Sequence, residues 1–212
     1  MAFRSLKQAT LLRQRKSLKM SMINPSIPEI KKSLSKIYAF SEEQLSLFTD
    51  KLVYGNVKKK EFLIEEDQVS NSFTFILTGS FRLFKKLNDS DLTINFFVEN
   101  SWIADLESLL TQRPSGNYIE AVEDSEIAFI KLRDLHELMD RHPCFRMLNA
   151  LLADLTISTA YVATINSKSP DERYKELLLK HPEWINRFPQ MLIASYLGMT
   201  PETLSRVRAR VK

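Results

Sequence analysis

Cysteine and glycine are scarce in this chain of 212 residues. The single cysteine, Cys144, excludes an intramolecular disulfide framework, fits a reducing compartment, and cannot supply the several thiolates of an iron–sulfur cluster. The four glycines form no phosphate-binding loop, and the chain has neither a Gly-x-Ser-x-Gly elbow nor a His-Glu-x-x-His helix. We therefore predict that the protein is not an enzyme.

Long apolar runs and clusters of metal ligands are also missing. No run approaches the roughly 18 apolar residues of a bilayer-spanning helix, so we expect a cytoplasmic protein without a membrane partner. His142 and Cys144 are too isolated to indicate a zinc site, which takes four ligands. His136, His142 and His181 leave haem ligation open, although each also fits a helix end or the surface. No metal site is predicted.

Charge is divided unevenly along the chain, and acidic residues are absent from the first 23 positions. Residues 1–40 have a net charge of +8, residues 41–166 of −8 and residues 167–212 of +4. An acidic middle between basic ends predicts that an anionic polymer binds at an end. Residues 1–24 are predicted to be a basic, disordered arm. An organelle presequence, a nucleic-acid-binding arm or a start at a later methionine would explain the same composition.

The middle of the chain alternates between apolar and polar residues with a period of two. In "FTFILTGSFRLFKKL" (73–87) most odd positions are apolar, which predicts half-buried strands divided by a turn or bulge at Gly79. The segment "NDSD" (88–91) predicts a hairpin tip, and "NYIEAV" and "SEIAFIKL" predict two further strands. Because no βαβ rhythm is present, we expect an antiparallel roll or barrel.

Helices are predicted on both sides of these strands. Residues 25–52 contain a capping box at Ser41 and Gln44. From Pro143 to about Asn166 a long helix carries a narrow apolar stripe, which fits either a two-helix dimer seam or packing on the β domain. The stripe consists of Leu148, Leu152, Leu155, Thr159 and Val162.

A linker, "NSKSPDE" (166–172), separates the long helix from the rest of the chain. Ser169 is expected to cap a new helix, with Pro170 in the first turn and Glu172 completing a capping box. We place a domain boundary here.

The C-terminal stretch "LIASYLGMTPETLSRVRARVK" predicts two helices joined by a tight turn. Gly198 suits the left-handed position that ends the first helix, Thr200 the N-cap of the second helix, and Pro201 its first turn. Leu204 and Val207 should face a core, which leaves the basic residues outside. A helix, a glycine turn and an outward-facing basic helix form a helix-turn-helix, whose second helix enters the major groove of DNA. The alternative is a basic amphipathic helix on the surface.

Within this motif, Glu202 and Arg206 are the predicted base contacts. Glutamate accepts from cytosine N4, and arginine donates two hydrogen bonds to guanine O6 and N7. The other exposed side chains, with Lys212, are better placed for phosphates. The complete predicted DNA-binding set is Thr200, Pro201, Glu202, Thr203, Ser205, Arg206, Arg208 and Arg210.

Two segments resemble the Crp–Fnr family of bacterial transcription regulators. "IASYLGMTPETLSRVRAR" resembles the family's helix-turn-helix, especially that of short members common in Bacteroidetes-type bacteria. "FTFILTGSFRLF" resembles the glycine-hinged strand pair of the family's cyclic-nucleotide-binding β-roll. The order of β-roll, long helix and helix-turn-helix also agrees, so the resemblance covers about residues 25–212.

The resemblance implies an α+β fold with an antiparallel β-roll and flanking helices. The effector domain would span residues 25–142, a dimerisation helix residues 143–167, and a winged-type helix-turn-helix domain residues 168–212. The resemblance also implies a homodimer that binds a palindromic operator in double-stranded DNA, with RNA polymerase as a candidate partner. Because few residues follow Arg210, any wing hairpin is expected around Trp184–Phe188.

The family's phosphate cassette typically has Gly-Glu-Leu followed by Arg-Ser-Ala. Here Ala104-Asp105-Leu106 and Ser115-Gly116-Asn117 stand at those places, so the carboxylate is shorter and no arginine meets the cyclic phosphate. Loss of this charge-assisted contact should lower nucleotide affinity steeply. We therefore predict a degenerate or altered effector pocket, with no cofactor and with cyclic AMP not the effector. The pocket set is Ala104, Asp105, Leu106, Arg113, Ser115 and Gly116.

Three alternatives stay open. Asp105 and Glu107 also fit ordinary surface carboxylates on a short helix. A cyclic-AMP-dependent regulator would use Asp105 and a displaced Arg113. A ligand-binding or scaffold protein that does not bind DNA is suggested by Pro201, since the family often has a base-contacting arginine there.

Overall fold

The computed structural model describes residues 27–87, 90–149 and 168–211. Several sequence predictions lie outside these ranges: the arm (1–24), part of the hairpin tip (88–89), Lys212, and the seam positions Leu152, Leu155, Thr159 and Val162.

Eight strands in the described residues form two antiparallel sheets of four strands each. The strands are β1 (Val53–Val57), β2 (Phe62–Ile64), β3 (Ser72–Thr78), β4 (Phe81–Lys86), β5 (Asp91–Phe97), β6 (Trp102–Ile103), β7 (Tyr118–Ala121) and β8 (Ser125–Lys131). The strand order is β1-β8-β3-β6 in the first sheet and β2-β7-β4-β5 in the second. The predicted antiparallel roll is therefore confirmed.

Helices cover the roll and make up its C-terminal extension. They are α1 (Ile27–Ser35), α2 (Glu42–Thr49), α3 (Leu106–Thr111), α4 (Leu132–Arg141), α5 (Pro170–Lys180), α6 (Trp184–Arg187), α7 (Gln190–Tyr196) and α8 (Pro201–Arg210). The helices α1, α2 and α4 contribute Ile30, Phe48 and Leu138 to the buried core of the roll. None of the described helices is long and apolar enough to span a membrane.

The predicted capping boxes are both confirmed. The Ser41 hydroxyl accepts the N–H of Gln44 at 3.2 Å, and the Gln44 side chain accepts the N–H of Ser41 at 2.9 Å. At the start of α5, the Glu172 carboxylate accepts the Ser169 N–H at 2.7 Å. Pro170 stands in the first turn of this helix, as predicted. Each box satisfies backbone donors that have no partner within their own helix.

Strands β3 and β4 are buried on both faces, so the prediction of half-buried strands was wrong. In β4 all four residues from Phe81 to Phe84 are buried, including Arg82. Arg82 can be buried because its guanidinium pairs with Glu120 at 2.6 Å and with Asp91 at 2.8 Å. Helices pack on the outer face of the first sheet, and the C-terminal helices pack on the outer face of the second sheet. Alternation in sequence does not show these outer layers.

The long helix does not begin at Pro143 as an α-helix. Pro143–Leu148 forms a 3-10 helix, and His142 provides no side-chain cap for it. Its three residues per turn bring Phe145 and Leu148 to one side, where both are buried in the core of the roll. At Leu148 the stripe therefore packs on the β domain, one of the two alternatives.

The wing hairpin is not where it was expected. Trp184–Arg187 forms the short helix α6, and residues 168–211 contain no strand. Trp184 and Phe188 are buried in the C-terminal core, so this segment is packed inside the domain instead of extending towards DNA.

Gly79 is the residue on which the β3–β4 turn depends. Its φ is +89°, and a Cβ there would lie 2.7 Å from the Ser125 Cβ and 2.9 Å from the Asp124 carbonyl oxygen. Gly116, by contrast, has open space at the position of a Cβ.

Replacing Gly79 with alanine should therefore lower the free energy of unfolding by about 2–4 kcal/mol, because both φ and space oppose a Cβ. Gly116→Ala is the matched control and should change stability by less than about 1 kcal/mol. Urea denaturation followed by tryptophan fluorescence measures both. Equal stability of the two variants would contradict the assigned role of Gly79.

Candidate functional site

The C-terminal helix-turn-helix is built as the sequence predicts. Helix α7 ends before Gly198, which has a φ of +60°. The Thr200 hydroxyl accepts the N–H of Thr203 at 3.3 Å and caps α8, with Pro201 in the first turn. Leu204 and Val207 are fully buried against the core of this domain. The turn and the inner face of α8 are thus fixed by local chemistry.

The outward face of α8 carries the predicted DNA-binding residues. Glu202, Ser205, Arg206, Arg208 and Arg210 are exposed, and Thr203 is half-buried. The start of α8 holds the pKa of Glu202 below its ordinary value. The larger cause is the hydrogen bond that the carboxylate accepts from its own backbone N–H, and the smaller is the one that it accepts from the Thr200 hydroxyl. Glu202 is therefore ionised at neutral pH, as a hydrogen-bond acceptor for a base must be.

Two predicted DNA contacts already have protein partners. The Arg210 guanidinium lies 2.8 Å from the Asp171 carboxylate at the start of α5. Gln190, at the start of α7, donates to the Ser205 hydroxyl at 2.7 Å. Phosphate binding by Arg210 has to compete with Asp171. Arg206 and Arg208 form no ion pair among the contacts described, and their exposed guanidinium groups are the stronger candidates.

Arg173 stabilises the turn between α7 and α8, and the sequence did not predict this role. Its Nη1 donates to the carbonyl oxygens of Leu197 at 2.6 Å and Gly198 at 3.1 Å, and its Nε donates to the Lys168 carbonyl at 3.1 Å. A cation at the end of α7 also interacts favourably with the dipole of that helix. Since these acceptors are far apart in sequence, no local pattern could have indicated them.

The cassette segment forms a closed polar cluster. Asp105 is only 3% exposed, and Ser115 only 4%. The Asp105 carboxylate accepts the Ser108 N–H at 3.4 Å, which caps α3, and also accepts the Ser115 hydroxyl. The Asn117 amide lies 3.4 Å from the same carboxylate. Asp105 is therefore not a surface carboxylate, as one alternative held, whereas Glu107 is exposed.

The remaining cassette residues do not form a cationic site around Asp105. Ala104 and Leu106 are buried in the apolar core, and Gly116 is exposed. Arg113 is exposed, and the contact that ties it to the cassette is its backbone carbonyl, which accepts the Ser108 hydroxyl at 2.6 Å. The structure brings Asp105 and Ser115 together and leaves the Arg113 side chain outside their cluster.

Residues 55–142 match the family model of the cyclic nucleotide-binding domain. The transcriptional regulatory protein btr of Bordetella pertussis is 24% identical over an alignment of 169 residues, which covers 73% of this chain and 69% of btr. Among solved structures, FixK2 from Bradyrhizobium japonicum has a TM-score of 0.65 at 21% identity, covering 76% of this chain and 84% of FixK2. The Thermus thermophilus catabolite activator protein has a TM-score of 0.52 at 19% identity, covering 82% and 85%.

The chain shares the fold of FixK2 and of the catabolite activator protein, and its residues 55–142 are similar to a cyclic nucleotide-binding domain. Within this domain, Ser115 occupies the place where the family's arginine is expected, and its hydroxyl donates to Asp105. A carboxylate that already caps a helix and accepts a hydroxyl has less capacity left for a ribose. The kinship with Bacteroidetes-type members stays a prediction.

Removal of the Asp105 carboxylate tests this structural role. Asp105→Ala should lower the free energy of unfolding by about 2 kcal/mol, since α3 loses its cap and the Ser115 hydroxyl loses one of its two acceptors. Asp105→Asn keeps one acceptor oxygen and should cost less than half as much. Both values come from urea denaturation without added ligand. Wild-type stability of Asp105→Ala would contradict the closed cluster.

Arg173→Gln should lower the free energy of unfolding by about 1.5–3 kcal/mol, because the buried Leu197 carbonyl loses a charged donor. Arg133→Gln is the control, since its side chain is 84% exposed. Thermal or urea denaturation compares the two variants. Equal stability would show that the three carbonyl contacts of Arg173 contribute nothing.

Proposed function

We propose that the chain is a sequence-specific, DNA-binding transcription regulator that acts as a homodimer on a palindromic operator. The observation that carries this proposal is the capped helix α8, which presents Glu202, Arg206 and Arg208 to solvent while Leu204 and Val207 anchor it. A helix fixed in this way is suited to enter a major groove as a rigid unit. Such a regulator works where the chromosome lies, in the bacterial cytoplasm.

The homodimer is proposed from the Crp–Fnr fold and the predicted seam. Two copies related by a two-fold axis would place two α8 helices about one DNA turn apart, which selects for a palindrome. The division into residues 25–142, 143–167 and 168–212 belongs to the same proposal, as does RNA polymerase as a further partner.

We further propose that operator binding does not require cyclic AMP. Support comes from the Asp105–Ser115 hydrogen bond and from the exposed position of Arg113. Another effector is compatible with this fold. CLP of Xanthomonas campestris, described as c-di-GMP responsive, has a TM-score of 0.63 at 13% identity, covering 81% of this chain and 91% of CLP.

Selection of bound duplexes from a random DNA pool tests both parts. It is run at about 150 mM salt, where phosphate-only binding is weak, with and without cyclic AMP. We expect the same palindrome in both arms. Enrichment only with the nucleotide would establish a cyclic-AMP-dependent regulator instead. No enrichment in either arm would contradict the function and favour a scaffold or ligand-binding protein.

Substitution of Arg206 tests the assignment of the base contacts. Arg206→Ala should weaken binding to the selected operator by about tenfold to a hundredfold and relax the preference at one base pair of each half-site. The control, Arg208→Ala, should weaken binding to all duplexes about equally and reduce the slope of log affinity against log salt. Fluorescence anisotropy with matched and substituted duplexes measures both effects. An unchanged preference in Arg206→Ala would contradict the assignment.

A further inference from the structure

The outer edge of β5 is covered by helix α7 of the helix-turn-helix. Strand β5 is the last strand of its sheet, so its outer backbone groups have no strand partner among the described residues. Ser195 serves as that partner: its hydroxyl donates to the Asp91 carbonyl at 2.7 Å and accepts the Thr93 N–H at 2.9 Å. The Thr93 hydroxyl lies 3.0 Å from the same oxygen. One serine thus satisfies two backbone groups of an edge strand.

The outer face of β5 contributes a side chain to the core of the C-terminal helices. Phe96 is 2% exposed and stacks on Phe188 with ring centroids 4.1 Å apart. Trp184 and Tyr196 pack against the same ring at 5.2 Å and 5.8 Å. The described ring contacts of Phe96 are therefore all with the C-terminal helices, so these helices and the roll share one buried cluster.

Arg187 ties the same helices to two turns of the roll. Its Nη2 lies 2.6 Å from the Glu99 carboxylate and 2.6 Å from the Glu123 carboxylate. Glu99 also accepts the N–H of Gly79 at 3.0 Å, and Glu123 accepts the Ser80 hydroxyl at 2.6 Å. Burial raises the pKa of Glu99, but hydrogen bonds, that of Arg187 foremost, hold it below its ordinary value. The Arg187 guanidinium therefore bridges two carboxyl groups of the roll.

We propose that β5 sets the pose in which α8 binds DNA, with Phe96, Arg187 and Ser195 as positioning residues. The proposal rests on the proposed function and extends it. Although the helices are docked on the sheet, the outward residues of α8 from Glu202 to Arg210 stay exposed. Docking therefore leaves the DNA-facing surface open. A loosely tethered domain would lose conformational entropy on binding DNA, and docking removes this loss.

The first test compares Arg187→Gln with Arg141→Gln. Arg141 also forms an arginine–glutamate pair, with Glu137 at 2.9 Å on α4, and serves as the matched control. Hydrogen exchange of residues 91–97, read by mass spectrometry, reports docking without any DNA. We expect about tenfold faster exchange there and about tenfold weaker operator binding in Arg187→Gln, because pre-organisation is lost. Binding to random duplex should not change, and the control should match wild type in every measurement.

The second test locks the docked form. The chain would carry Thr93→Cys and Ser195→Cys together with Cys144→Ser, so that one disulfide can form where the two hydroxyl oxygens are 3.0 Å apart. The same preparation, reduced, is the control. We expect the oxidised protein to bind the operator at least as tightly as the reduced protein.

Each other result overturns the inference. Wild-type exchange in Arg187→Gln would show that Arg187 does not hold the interface. Faster exchange with undiminished operator binding would show that docking does not set the pose. Tenfold weaker binding by the oxidised protein would show that the docked form is the one that cannot bind DNA. If wild-type protein selects no duplex, the proposed function fails as well. Failure of the proposed function can be told apart from failure of the inference, because hydrogen exchange without DNA still reports whether the helices are docked.

Discussion

The covering of strand β5 by the C-terminal helices is the interaction on which the rest of the arrangement depends. The strand has an unpaired backbone edge, which could otherwise pair with another strand, and an outward phenylalanine, whose exposure to water is unfavourable. The Ser195 hydroxyl hydrogen-bonds to backbone groups of this edge, and the cluster around Phe96 buries the phenylalanine ring. Burial of such a side chain contributes about 1.5–3 kcal/mol to the free energy of unfolding. Helix α7 is thereby fixed to the roll, and α8 packs against the same core through Leu204 and Val207. The position of α8 therefore depends on contacts that lead back to the sheet.

In the cassette segment, the polar groups of Asp105, Ser108 and Ser115 hydrogen-bond to one another. In this chain the carboxylate of Asp105 caps α3 and accepts from Ser115, so the loop closes on itself. A polar group buried without partners would be costly, and these hydrogen bonds offset that cost. Residues 55–142 are similar to a cyclic nucleotide-binding domain, and within them the polar groups of the cassette hydrogen-bond to one another.

Local signals in the sequence predicted the caps, the glycine turns and the antiparallel strands, because each depends on residues a few positions apart. Gly79, Gly198 and Thr200 are examples. Contacts between distant segments left no such signal. Phe96 follows the same alternation as any strand residue, and nothing near Arg173 or Arg187 indicates the carbonyls and carboxylates that they bind. The structure of the cassette was predictable only in part. The missing arginine was visible in the sequence, but the Asp105–Ser115 hydrogen bond needed the fold.

Hydrogen exchange of the intact protein, with and without its selected duplex, tests the central claim most directly. If the sheet-docked form binds DNA, residues 201–210 gain protection on binding while residues 91–97 keep the protection that they have in the free protein. Loss of protection in residues 91–97 when the duplex binds would contradict the account, because the helices would then have to leave the sheet to reach DNA.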